Sequence, residues 1–116
     1  MRVNYPYLHQ QFAEVDHIFK DLREFVTTGE FTLGPYVDNF EKKFGDYIGV
    51  KHVISTNTGT DALILALKAV GVKAGDEVIT VANSFYASAG AIVAAGGTPV
   101  FVDCDKRMQI DVTKIE

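Results

Sequence analysis

A chain of 116 residues with 47% hydrophobic and 22% charged residues has the size and make-up of one folded soluble domain, able to hide roughly two thirds of its unfolded surface. Its net charge of -4 and pI of about 5.3 argue against a nucleic-acid partner, which calls for clustered Lys and Arg, and no basic run exceeds Lys42-Lys43. Cys104 is the single cysteine and cannot close an internal disulfide, and no Cys and His stand at metal-ligand spacing, so a reducing, cytoplasmic setting without a metal is expected.

Met1-Arg2 is followed by Val3-Asn4-Tyr5-Pro6 rather than an apolar run, which does not support a secretory leader. Leu8, Phe12, Val15, Ile18, Phe19, Leu22, Phe25 and Val26 recur at helical spacing, predicting one amphipathic helix that stops at Thr27-Thr28-Gly29. The loop Glu30-Phe31-Thr32-Leu33-Gly34-Pro35 leads to a second helix with Val37, Phe40, Phe44, Tyr47 and Ile48 on one face, closed by Gly49. Residues 1–50 thus read as a helical segment.

From residue 51 the pattern becomes an α/β one. Short β-rich runs at 52–56, 77–81 and 99–103 alternate with helical runs at 61–70 and 85–95. They predict a right-handed βαβαβ unit with three adjacent parallel strands covered by helices. The 61–70 helix is apolar nearly all round and is expected to be deeply packed. The uncharged stretch from Val78 to Val102 is long enough to imitate a membrane span, but Asn83, Ser84, Gly96-Gly97 and Pro99 divide it, so no membrane segment is expected. Asp111 reads as the cap of a helix beginning at the end of the chain, and the open sheet edge together with that unfinished element predicts a fragment of a longer protein.

Thr56-Asn57-Thr58-Gly59-Thr60-Asp61 joins a predicted strand to a predicted helix. Unpaired N–H groups and the helix dipole favour an anion there, Gly59 permits close approach, and Thr58 and Thr60 offer hydroxyls. The same residues equally describe an ordinary β-α turn capped by Thr58 or Thr60. Neither G-x-G-x-x-G nor G-x-x-x-x-G-K-[ST] is present, which disfavours dinucleotide and P-loop readings. Phe85 and Tyr86 end the next β-α turn at the carboxyl edge of the sheet, where one ring could stack on a flat ligand or simply fill the core. Asp103 reads as a turn former with Asp105 or a site residue at that edge. His9, His17 and His52 are too scattered for a triad or metal site, and Lys68 reads as a solvated helix residue.

Thr58-Gly59-Thr60-Asp61-Ala62-Leu63, Gly75-Asp76-Glu77-Val78-Ile79, Pro99-Val100-Phe101-Val102-Asp103 and Ile110-Asp111 together resemble the N-terminal part of the DegT/DnrJ/EryC1/StrS sugar aminotransferases. Gly29 to Pro35, with Phe40-Glu41 and Phe44, is similar to that family's opening segment, so the resemblance spans essentially the whole chain. It implies the start of the large domain of the pyridoxal-phosphate fold type I. It also implies that Gly59, Thr60 and Asp61 hold the phosphate of pyridoxal 5'-phosphate and that Phe85 stacks on its ring. The partners implied are a nucleotide-linked keto-sugar, an amino-acid donor such as glutamate, and a second copy of the chain reached through the loop at 31–35. Many family members carry Pro-Ser where this chain has Val81-Ala82, and an apolar or aromatic residue in place of Asn83. The family's Asp that pairs with the pyridinium nitrogen and its cofactor-binding Lys fall after the covered region, so this segment holds no catalytic residue of its own. A sugar dehydratase on the same fold and a non-catalytic binding module are the alternative readings.

Overall fold

The computed structural model describes residues 7–115; Glu116 and residues 1–6, which include the opening Met1–Pro6 read for a leader, lie outside the described residues. The chain divides into two compact units, Met1–Ile54 and Ser55–Glu116.

The first unit is helical. The single helix expected from Leu8 to Val26 is instead two, α1 (Leu8–Gln11) and α2 (Asp16–Thr28). Phe12 ends α1 with its N–H on the Leu8 carbonyl at 3.0 Å, and the chain restarts with the Phe19 N–H on Val15 O at 3.1 Å. Asp16 in the first turn complements the positive end of the new helix. Apolar residues keep helical spacing on both sides of the break, so periodicity alone does not reveal it. Thr27 and Thr28 turn their hydroxyls back onto the carbonyls of Glu24 and Phe25, at 2.6 and 2.8 Å, and Gly29 closes α2 with a left-handed φ of 73°. In α3 (Pro35–Ile48), Pro35 takes the first turn, where its missing N–H costs nothing, and Gly49 closes the helix at φ 75°. Phe25 ties the end of α2 to the start of α3, its ring lying edge-on to Phe31 at 5.6 Å and to Tyr36 at 4.9 Å.

The second unit is α/β: α4 (Gly59–Ala69), β1 (Glu77–Val81), α5 (Ala87–Ala95) and β2 (Thr98–Val102). β1 and β2 are parallel, in register from Glu77 opposite Thr98 to Val81 opposite Val102. α5 packs on α4 and on both strands. Its buried residues Ala87, Ala91, Ile92 and Ala95 form the core, and the small alanines let neighbouring backbones approach closely. Gly97 seats β2: a Cβ there would lie 3.0 Å from Val72 Cγ1 and 3.3 Å from Ile92 Cγ2.

Two expectations are corrected. Residues 52–56 form no strand, and the sheet has two strands rather than three. An apolar run becomes a strand only when a ladder partner is beside it, and β1 pairs with β2 alone among the described residues. Nor is α4 deeply packed, for it has no buried residue and leaves Leu63 and Leu65 43% and 54% exposed. Only its α5 side is covered within this unit.

Beyond β2 the chain forms a tight reversal. Cys104 and Ile110 make an antiparallel bridge, the Asp105 N–H bonds Gln109 O at 2.8 Å, and the Met108 N–H bonds Asp105 O at 3.0 Å. Asp111 then caps a single 3-10 turn (Val112–Lys114), its Oδ1 accepting from the Thr113 N–H at 3.1 Å. Met108 sits in the left-handed region at φ 63°, a conformation that costs a side chain roughly 1–2 kcal/mol. Met108→Gly in the full-length protein is therefore expected to raise stability by about 1 kcal/mol, read as a higher denaturation midpoint at unchanged m-value.

Candidate functional site

α4 begins because Thr58, extended at φ -145° and ψ 162°, caps it. Its hydroxyl oxygen accepts the Asp61 N–H at 3.1 Å while its own proton goes to Asp61 Oδ2 at 2.9 Å. This is a reciprocal cap between residues three apart. Thr56 adds a hydroxyl bond to the Thr58 carbonyl at 3.0 Å, and that carbonyl also accepts the Ala62 N–H at 3.0 Å. Of the four donors that a helix start leaves over, the Asp61 N–H is thus used, and the Ala62 N–H makes the first regular bond of the helix. The N–H groups of Gly59 and Thr60 have no partner among the described residues. A Cβ built on Gly59 would meet nothing within 4 Å. Free N–H groups at the positive end of a helix attract anions in general, and α4 begins with such a pair beside its cap.

Phe85 lies in the loop between β1 and α5 with its ring 65% exposed. The loop is pinned to the helix it precedes: Ser84 Oγ and Ser88 Oγ are 2.8 Å apart, and the Ser88 N–H bonds Phe85 O at 3.0 Å. The Tyr86 ring is tilted by 48° at 4.2 Å from that of Phe85.

Asp103 ends β2 and serves as the turn former expected of it, its Oδ1 accepting the Cys104 N–H at 3.0 Å. It also pairs with Lys114 at 3.2 Å, a contact that spacing along the chain did not reveal. The Lys114 ammonium, then the Cys104 N–H, hold the Asp103 carboxyl below its ordinary pKa. The Gln109 N–H, aided by Arg107, does the same for Asp105. Ala82, Asn83, Val102, Asp103, Cys104, Asp105 and Met108 line a cavity of about 300 Å³ at the carboxyl edge of the two strands. The register that sets Val81 against Val102 is the signal that would have brought Asn83 and Asp103 together. His9, His17, His52 and Lys68 are all exposed, and no group of three or more His, Cys, Asp or Glu among the described residues could hold a metal ion.

A capped helix start with two N–H groups left over and an exposed aromatic on the next β-α loop are what this α/β unit offers at that end. The model of the DegT/DnrJ/EryC1/StrS aminotransferase family matches residues 13–116, and the chain belongs to that family of transaminases. It is 46% identical over 104 residues to the 3-oxo-glucose-6-phosphate:glutamate aminotransferase of Bacillus subtilis, covering 89% of this chain and 24% of that protein. It is 47% identical over 91 residues to the GDP-perosamine synthase of Caulobacter vibrioides, covering 78% and 24%. Among solved structures, a DegT DnrJ EryC1 StrS aminotransferase from Brucella abortus superposes with a TM-score of 0.88 at 35% identity, over 97% of this chain and 31% of that one. NtdA from Bacillus subtilis with bound cofactor PMP gives a TM-score of 0.76 at 46% identity, over 78% and 21%. The chain spans about a quarter of the length of these curated relatives, and its fold is that of the N-terminal part of the aminotransferase structures.

Thr58→Ala removes both halves of the cap. In the full-length protein it is expected to cost about 1 kcal/mol of stability and to speed hydrogen exchange at the Asp61 amide; unchanged exchange there would contradict the role given to Thr58.

Proposed function

We propose that the protein containing this chain is a pyridoxal-phosphate-dependent aminotransferase that moves an amino group from an amino acid, glutamate in the first instance, to a nucleotide-linked keto-sugar. The observation that carries the reading is the pair of free N–H groups on Gly59 and Thr60 at the capped start of α4, found in a chain of this family. The residues present fit the cofactor. A phosphate dianion needs donors, a positive helix end and room, and the start of α4 offers all three.

In this reading Gly59 and Thr60 receive the phosphate through their backbone N–H groups, with the Thr60 hydroxyl as a third donor. Asp61 contributes by holding the first turn in shape, its N–H and carboxylate both engaged with Thr58. Phe85 would stack on the cofactor ring and shield it from water. When bound, pyridoxal 5'-phosphate supplies the electron sink that makes amino-group transfer feasible.

A homodimer is part of the proposal. Phe31 and Leu33 in the loop between α2 and α3 are 62% and 84% exposed, as expected of a segment that completes the site of a second copy. A cytoplasmic setting accords with the soluble substrates, and no helix among the described residues is long and apolar enough to cross a membrane.

Thr60→Val keeps the shape of the side chain and deletes the hydroxyl. A hydrogen bond to a charged group contributes about 1.5–3 kcal/mol, so the full-length variant is expected to bind pyridoxal 5'-phosphate about tenfold or more weakly in equilibrium dialysis. Affinity equal to that of the unsubstituted protein would contradict the assignment.

A further inference from the structure

The cavity between the ends of β1 and β2 is separate from the start of α4, and the phosphate site does not use it. It brings one side-chain amide, Asn83, together with two carboxylates, Asp103 and Asp105, and the apolar walls of Ala82, Val102 and Met108. We propose that this cavity receives the hydroxyl-bearing sugar ring of the substrate, with Asn83 and Asp103 as the residues that choose among sugars. The inference rests on the aminotransferase reading given above and deepens it.

A sugar hydroxyl both donates and accepts, so its site needs an acceptor beside a group that can donate. An ionised carboxylate only accepts, and an amide does both. Asp103 uses two of its roughly four acceptor positions, for the Lys114 ammonium and the Cys104 N–H, leaving about two for hydroxyl protons. The Asn83 amide makes no hydrogen bond among the described residues. Asp105 is nearly saturated by the Arg107 and Gln109 N–H groups and the Arg107 guanidinium, so it shapes the reversal more than it recognises a ligand.

The charge balance selects the neutral part of the substrate. Lys114 and Arg107 are already paired with Asp103 and Asp105, and neither cation is left over for a phosphate. The volume of about 300 Å³ lies at the lower end of small-molecule sites, roughly 300–1,000 Å³, which suits one sugar ring rather than a whole nucleotide-sugar. The place fits as well, since open α/β sheets bind ligands beyond the carboxyl ends of their strands. Asn83 stands two residues before Phe85, on the loop that Ser84 and Ser88 pin in place.

The test uses the full-length protein and two keto-sugar probes, 3-oxo-glucose 6-phosphate and UDP-2-acetamido-2-deoxy-3-oxo-D-glucuronate. Calorimetric titration of Asn83→Ala is expected to show about tenfold weaker binding of the probe the unsubstituted protein prefers, the loss of one to two hydrogen bonds. Cofactor content and melting temperature are expected to stay unchanged. Asn83→Asp, which keeps the acceptor and loses the donor, is expected to change the ratio of affinities for the two probes. Sugar affinity and probe ratio unmoved in both variants would overturn the inference, as would sugar affinity and cofactor content falling together, or an unsubstituted protein that retains its cofactor and binds neither probe. An unsubstituted protein that binds no pyridoxal 5'-phosphate would instead overturn the aminotransferase reading.

Discussion

The Thr58 hydroxyl, held between the amide and the carboxylate of Asp61, is the contact on which the site depends. It sets where α4 starts, ties up the one carboxylate nearest the helix end, and leaves the N–H groups of Gly59 and Thr60 without a partner among the described residues. A helix that began one residue earlier or later would present a different pair of donors. Without the cap, the first turn would trade its free N–H groups among fraying conformations instead of holding two in place for a ligand.

α4 needs a fixed support for that geometry to persist, and α5 provides it. The alanine face of α5 lies against α4 and the two strands, while the loop that leads into α5 carries Phe85. One helix thus supports both the start of α4 and the loop bearing Phe85, the two elements proposed to hold the cofactor. The β1–β2 register continues the same logic to the far side of the loop, where the ends of the two strands bring Asn83 and Asp103 to a common cavity.

What could be read from the sequence was the local part. β1 and β2 are continuous apolar runs bounded by Gly75-Asp76, Gly96-Gly97 and Asp103, and the helix stops at Gly29 and Gly49 need only the left-handed preference of glycine. The Thr58 cap was legible as one of two candidates because capping at a β-α junction depends on residue types a few positions apart. That residues 52–56 form no strand was not legible, because pairing is settled by a partner distant in sequence. The burial of α4 failed for a related reason: an apolar helix can be packed only as deeply as its surroundings allow, and one side of α4 is uncovered in its own unit. The break between α1 and α2 escaped because apolar spacing runs through Phe12 and Val15 on both sides of it. Asp103 was legible as a turn former, while its tie to Lys114, eleven residues away, was not.

The central claim is that the phosphate, received by backbone N–H groups at the start of α4, anchors the cofactor. Equilibrium dialysis of the full-length protein against pyridoxal 5'-phosphate and against pyridoxal, which lacks only the phosphate, tests it most directly. Two charge-assisted hydrogen bonds and a helix dipole predict that pyridoxal binds roughly a hundredfold or more weakly. Equal affinity for the two would contradict the account and move the anchor away from Gly59 and Thr60.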